Sequence, residues 1–270
     1  AGLSVTGAVA VQPAARTGIN TAMLSPYVLI PALVCTSLVS PIRAADPPRD
    51  LAKRIAERES ASEAVRAQYL YRQQLLLEEF DQRNVRAGYY SEQREVIFSP
   101  SGERTEKLTQ PATNRLVRLQ LTPEDFRDIQ EIQPLLLTKE RLWLYQTQPR
   151  GEETIDGVPC WVLAVQPRQI LDGQRLFEGL LWAAQSDFSV IRTEGRAVPQ
   201  IITKKEENLF PRFTTIRHPI TGGYWFPQIA FADDTLPFRS GPLRLRMKLT
   251  FSNYQRFGAD STIQFEAPKP

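Results

Sequence analysis

The sequence is short of the side chains from which most catalytic centres are built. In 270 residues it has one histidine, His218, and two cysteines, Cys35 and Cys160. A histidine-based metal site needs more ligands than this, and a carboxylate site for calcium lacks its Asp-x-Asp-x-Asp-Gly loop. No Gly-x-Ser-x-Gly elbow presents a serine to His218, and no phosphate-binding glycine loop is present, since Gly222-Gly223 reads as a hairpin turn. These absences point to no catalytic residue, no metal and no cofactor. Charge of one sign is also missing. With 33 basic and 30 acidic residues there is no electrostatic case for nucleic acid or for a polyanionic surface.

The N-terminal region sets the expected compartment. From Met23 to Ser40 the run "MLSPYVLIPALVCTSLVS" has no charge, Arg16 lies upstream, and Arg43-Ala44-Ala45 follows it. That order of basic, apolar and small-residue regions is the pattern of a secretory signal peptide. Residues 1–45 are expected to be a leader with an upstream extension, cleaved on export, and residues 46–270 to form one domain. A membrane anchor fits less well, because Pro26 and Pro31 interrupt a run barely long enough to span the roughly 20 residues a bilayer core requires. A lipid attachment at Cys35 would want a small residue before it, and Val34 stands there. Cleavage removes Arg16, Arg43 and no acidic residue, leaving 31 basic and 30 acidic side chains, a net charge of +1. Only Cys160 then remains, inside the apolar "CWVLAV", where a lone thiol reads as a core residue and no disulfide supports the fold.

The rest alternates between helical and strand signals. "RDLAKRIAERESASEAVRAQ" predicts a helix with Leu51, Ile55 and Val65 on its apolar side. Strands are expected at 69–81, 89–98 and 103–110, with a tight turn at 99–102. Thr122-Pro123-Glu124-Asp125 predicts a helix start, with threonine as N-cap, proline at the first helical position and a carboxylate at the third to cap in return. Phe126, Ile129 and Ile132 continue it, and "QPLLLTKERL" predicts a second short helical piece. From Trp143 the chain is expected to be an antiparallel meander, with turns at Arg150-Gly151, Asp156-Gly157, Leu171-Asp172-Gly173, Ser186-Asp187, Thr221-Gly222-Gly223 and Arg239-Ser240-Gly241-Pro242.

Alternation says which faces are covered. Leu243, Leu245, Met247, Leu249 and Phe251 alternate with Arg244, Arg246, Lys248, Thr250 and Ser252, so one face of this strand is wholly apolar. "WVLAV" and "FEGLLWAA" are apolar on both faces, which predicts a layer enclosing an interior and covered outside by a helix or packed loop. Pro211 and Pro227 predict that their strands lie near an edge of the sheet. The acidic pairs Glu152-Glu153, Glu206-Glu207 and Asp233-Asp234 could supply a general acid and base, but sequence neighbours in a strand point to opposite faces, so they read as solvated turns and edges. The aromatics Trp143, Trp161, Trp182, Trp225, Phe177, Tyr224, Phe226 and Phe231 fill either a core or a pocket for acyl chains.

The order of leader, amphipathic helix, antiparallel strands, helical insertion and further strands resembles the periplasmic lipoprotein-carrier superfamily of LolA, LolB and the lipid-sensing domain of RseB. The stretches "FEGLLWAAQSDFSVIRTEGR" and "GVPCWVLAV" carry the likeness. In looks it is similar to the members called outer membrane lipoprotein-sorting proteins. The resemblance implies a mainly β (α+β) fold, an incomplete, strongly curved antiparallel barrel with helices covering its opening. It further implies a periplasmic, non-enzymatic carrier whose hydrophobic cavity takes the acyl chains of lipids or lipoproteins, with an inner or outer membrane protein as partner. Alternation places Trp161, Leu163, Leu245, Met247, Leu249 and Phe251 in that interior, and the helical Phe126 and Ile129 would form its lid. A lipid sensor of the same fold is the alternative, and an envelope hydrolase using His218 or the Asp233-Asp234 pair is a third reading.

Overall fold

The protein is described by a computed structural model covering residues 46–99, 103–170, 174–203, 207–220 and 222–257. The expected leader and extension at 1–45, most of the turn at 99–102, the turn at 171–173, and Glu206 and Thr221 lie outside the described residues.

Helix α1 (Leu51–Arg66) opens the described chain, followed by strands β1 (Tyr69–Phe80), β2 (Arg86–Phe98), β3 (Arg104–Leu108) and β4 (Thr113–Asn114). A covering segment follows: α2 (Pro123–Arg127), a π-helical turn (Asp128–Ile132) and a 3-10 turn (Leu142–Leu144). The second half holds β5 (Tyr145–Ile155), β6 (Val158–Pro167), β7 (Leu176–Ala184), β8 (Val190–Val198), the short β9 (Ile201–Ile202) and β10 (Glu207–Asn208), then β11 (Phe213–Pro219), β12 (Trp225–Leu236) and β13 (Leu243–Arg256). Eleven strands form one sheet in the order β3-β2-β1-β13-β12-β11-β8-β7-β6-β5, with β4 beside β2. β1 pairs β13 antiparallel, so the last strand closes against the first and the two halves of the chain share one ladder.

The sheet is large and curved but open: its terminal strands β3 and β5 do not pair. The barrel part of the expected architecture is therefore not formed, while the antiparallel, mainly β part is. Alternation explains the packing. On β13 Leu243, Leu245, Met247, Leu249 and Phe251 are all buried while their neighbours are not. Leu249 stands opposite Leu75 on β1 and Ala230 on β12, and Met247 stands opposite Leu77 and Ala232. Large residues on one flank and alanines on the other let the row interdigitate.

α1 lies against the same apolar face, but its buried positions are Leu51, Ile55, Ala56, Glu59 and Ser62, while Val65 is only half-buried. A carboxylate thus takes the inward position one turn after Ile55. The start of α2 is as expected: Thr122 Oγ1 accepts from the Asp125 backbone N–H, and the Asp125 carboxylate accepts from the Thr122 N–H at 2.7 Å. The helix runs only five residues before passing into the π turn, and the predicted second helical piece is absent. Residues 135–138 are non-helical and buried, with helical geometry returning only at Leu142–Leu144. Pro134 removes a backbone donor, and four consecutive buried side chains cannot share one helical stripe.

Three further expectations change. Arg150-Gly151 is not a turn: it lies within β5 at a register shift, where Gly151 adopts φ 112°. β11 and β12 are interior strands, not edges. Pro227 is tolerated there because the β11–β12 ladder slips between Ile216 and Arg217, opposite that proline, and Pro211 precedes β11. The outer face of β6, β7 and β8 carries a second apolar cluster, Cys160, Val162, Trp182, Ala184 and Ile191, whose members are all strand residues. Trp182 is shielded by the Arg192 guanidinium over its ring at 4.7 Å and donates from Nε1 to Glu153 at 2.7 Å. Side chains, not a helix, supply this cover. The Asp156-Gly157 turn is as expected, with φ of 48° and 82° at its two residues.

Candidate functional site

The inner face of the sheet and the segment laid over it bring the sequence-named residues together. Trp161, Leu163, Leu245, Met247, Leu249, Phe251 and Ile129 are buried members of one hydrophobic cluster, and Phe126 packs against it half-buried. These side chains pack on one another and on Leu51, Ile55, Tyr71, Leu75 and Phe177.

The cover is fastened to the sheet at discrete polar points. Arg217 of β11 is 2% exposed; its Nη1 donates to both oxygens of Glu59 on α1, at 2.8 and 3.0 Å, and its Nη2 donates to the Leu135 carbonyl. Thr215 Oγ1 donates to the Gln133 carbonyl at 2.7 Å, and Gln133 Nε2 approaches Met247 Sδ at 3.1 Å. Arg104 of β3 donates to the Gln130 carbonyl at 3.1 Å. The Arg217 and Thr215 contacts give the buried Glu59 carboxylate and the Leu135 and Gln133 carbonyls their partners. They hold the middle of the cover across β3, β11 and β13, so this part of the cover is tied by a handful of bonds and not by a continuous ladder.

At one border of this core the structure opens into a pocket of about 620 Å³. Ile132, Leu135, Leu144, Tyr145 and Leu176 give it an apolar side, and Glu124, Arg127, Asp128, Glu131, Arg141 and Arg175 a charged one. None of the eight residues named from the sequence lines it. Arg175, just before β7, and Asp128, on the π turn, form its buried pair: Nη1 and Oδ2 are 2.7 Å apart, with the side chains 8% and 4% exposed. The same Nη1 donates to Asn208 Oδ1 at 2.7 Å, and Asn208 Nδ2 donates to Thr122 Oγ1 at 3.1 Å. Burial pushes the Asp128 carboxyl up to about 7 against the pull of Arg175, and burial also raises Asp125. These polar residues escape a reading that assigns charge to solvent. The signal available for Arg217 was its period-2 spacing from buried Phe213 and Thr215, and for Glu59 its i+4 spacing from Ile55.

The residues considered for catalysis are separated or engaged. Asp233 binds Arg244 and Arg246, and the Arg244 hydrogen bond holds its carboxyl below the usual range. Asp234 accepts from the Arg212 backbone N–H at 3.1 Å. Glu153 is occupied by Trp182, and Glu152 accepts from Gln185 at 2.9 Å. His218 is exposed near the end of β11 and lines a second pocket of about 370 Å³ with Asp156 and Arg192; no serine or cysteine is among the described residues lining it. Among the described residues no group of three or more His, Cys, Asp or Glu could hold a metal ion. None of the described helices is long and apolar enough to cross a membrane.

No family model matches the chain, and no curated protein matches it. Solved structures do. A DUF1329 family protein from Desulfovibrio piger is similar over 80% of this chain and 96% of its own, at 14% identity and a TM-score of 0.43. A LolA superfamily protein from Nitrosomonas europaea is similar over 77% of this chain and 94% of its own, at 15% identity and a TM-score of 0.35. An outer membrane lipoprotein-sorting protein domain from Vibrio parahaemolyticus is similar over 78% of this chain and 95% of its own, at 12% identity and a TM-score of 0.37. At these identities and scores no residue correspondence follows.

Proposed function

We propose that the protein is a non-enzymatic carrier of the periplasm that shields acyl chains of lipids or lipoproteins, for transport toward the outer membrane. One observation carries this reading: an apolar face spans β1, β13, β12, β7 and β6 beneath a cover of short, irregular turns fastened at separate polar points. The chain would lie along Leu245, Met247, Leu249, Phe251, Trp161 and Leu163, with Phe126 and Ile129 moving aside to admit it. Because these side chains fill the interior, admission means exchanging contacts within the protein for contacts with the ligand. The driving force is the ligand's own: about 0.8 kcal/mol for each CH₂ taken out of water.

The test is uptake of cis-parinaric acid, whose emission rises when its chain leaves water. The proposal expects a saturable rise with the intact protein and a weakened one with Ile129→Glu, at unchanged strand content by circular dichroism. No rise with the intact protein would refute it.

A further inference from the structure

Arg175 is anchored on one edge and empty on the other. Its Nη1 donates to Asn208 Oδ1 at 2.7 Å, Asn208 is itself held by Thr122, and the same Nη1 lies 2.7 Å from Asp128 Oδ2 as an ion pair in which that oxygen has no hydrogen-bond partner among the described residues. The Asn208 bond orients the guanidinium from one edge. Nε and Nη2, which together make the side-on fork of an arginine, are buried and have no hydrogen-bond partner among the described residues. Two buried donors left unmade on one charged group carry a desolvation cost that nothing in the described protein repays. The side-on fork matches a pair of anionic oxygens, which it binds by two parallel hydrogen bonds. The residue stands in the wall of the 620 Å³ pocket, within the range of roughly 300–1,000 Å³ common for small-molecule sites. Ile132, Leu135 and Leu176 line that pocket beside it, and all three are buried members of the apolar cluster or its immediate border.

We infer that the pocket is a head-group site for an acidic amphiphile, with a carboxylate or phosphate on the Nε/Nη2 edge of Arg175 and its chain leading past Ile132, Leu135 and Leu176 into the interior. The inference deepens the carrier reading and rests on it. Neither nitrogen has accessible surface, so the anion reaches the fork as the lining side chains shift around it. The charged lining is otherwise balanced, Arg127 and Arg141 against Glu124 and Glu131, with Glu124 already bound to Arg127 at 2.5 Å. Arg175 with Asp128 completes that balance, so discrimination rests on the geometry of the fork and not on a general positive field.

The experiment is calorimetric titration of the full chain with dodecanoate and dodecyl phosphate below their micellar concentrations, with dodecanol below its solubility limit, and with inorganic phosphate. Charge-assisted bidentate bonds predict that dodecanoate or dodecyl phosphate binds roughly tenfold or more tighter than dodecanol. Arg175→Lys, which keeps the charge for Asp128 and loses the fork, is expected to remove that preference. The order of the two anions then tells carboxylate from phosphate. Dodecanol binding as tightly as the anions, or a preference that survives Arg175→Lys, overturns the inference and leaves the carrier reading standing. Binding of inorganic phosphate as tight as that of dodecyl phosphate overturns it too, since no chain would then be involved. If no chain-bearing compound binds, both readings fall. Should Arg175→Lys fail to fold, Asn208→Leu tests the same point by freeing the plane of the guanidinium, and an undiminished anion preference there overturns the inference.

Discussion

Glu59 of α1 and Arg217 of β11 face each other inside the protein, each side chain 1% exposed, with Arg217 Nη1 2.8 Å from Glu59 Oε1. Through the same guanidinium Arg217 holds the Leu135 carbonyl, so one buried cation joins helix, sheet and cover. Removing one member leaves the other charge uncompensated in a low-dielectric interior, whereas removing both leaves no stranded charge. Arg217→Met is therefore expected to lose about 3–5 kcal/mol of stability, and the double change Glu59→Met with Arg217→Met to recover a large part of it. Urea denaturation of the four species checks this. A double variant no more stable than Arg217→Met would show that the pair does not act as a unit.

Asp128 gives the protein a pH dependence of definite sign. Its folded carboxyl is raised to about 7 from an ordinary value near 3.8, first by burial, with Arg175 opposing. Below the unfolded value the carboxyl is protonated in both states. As pH rises toward 7 the unfolded state ionises while the folded state resists, so stability present at low pH is lost through this window and levels off above it. Asp125, also raised by burial, acts in the same direction. Asp128→Asn is expected to flatten the fall in urea midpoint between about pH 4.5 and 8 relative to the native chain. An unaltered slope would contradict the assignment.

Part of this organisation is legible in the sequence, and the division has a physical basis. The β13 alternation, the Thr122–Asp125 capping box and the Asp156-Gly157 hairpin are local, fixed by residues within one or two turns of each other, and the chain states them openly. The β1–β13 ladder joins residues more than 150 positions apart, such as Leu75 and Leu249, and no local pattern announces it. Glu59, Asp128, Arg175 and Arg217 were hidden for a different reason. Periodicity assigns charge to solvent, and only tertiary pairing makes an inward charge tolerable. Pro227 does not mark an edge because the ladder slips in register opposite it, a tertiary feature that no local pattern encodes.

Phe177 lies across Gly179 of its own strand and Gly195 of β8, which face each other in the β7–β8 ladder. A Cβ on Gly179 would come within 2.7 Å of Phe177 Cζ and also collide with the Glu194 carbonyl oxygen. The ring is fully buried, 6.0 Å from that of Phe213, so it has little room to yield. Gly179→Ala should cost about 1–3 kcal/mol by overpacking. Thermal denaturation measures it, and a stability equal to the native chain would show that the ring can move aside.

Cys160 is a packing residue with a thiol raised to about 11, chiefly by burial. In a chain carrying Cys35→Ser, its reaction with Ellman's reagent at pH 8 should be on the order of a hundredfold slower than that of an ordinary exposed cysteine, and should become fast in denaturant. Equal rates in the two conditions would place the thiol at the surface.

On the proposed function, the interior behind the cover receives an acyl chain. Native mass spectrometry of the protein, isolated without detergent from a periplasmic extract, tests it most directly, beside a Leu249→Glu variant verified as folded. A carrier is expected to show added mass that extracts as acyl lipid or lipopeptide from the native protein and is missing from the variant. A bare protein mass that stays bare after lipid is added would contradict it, and would mean that the Leu249 row is core and nothing more.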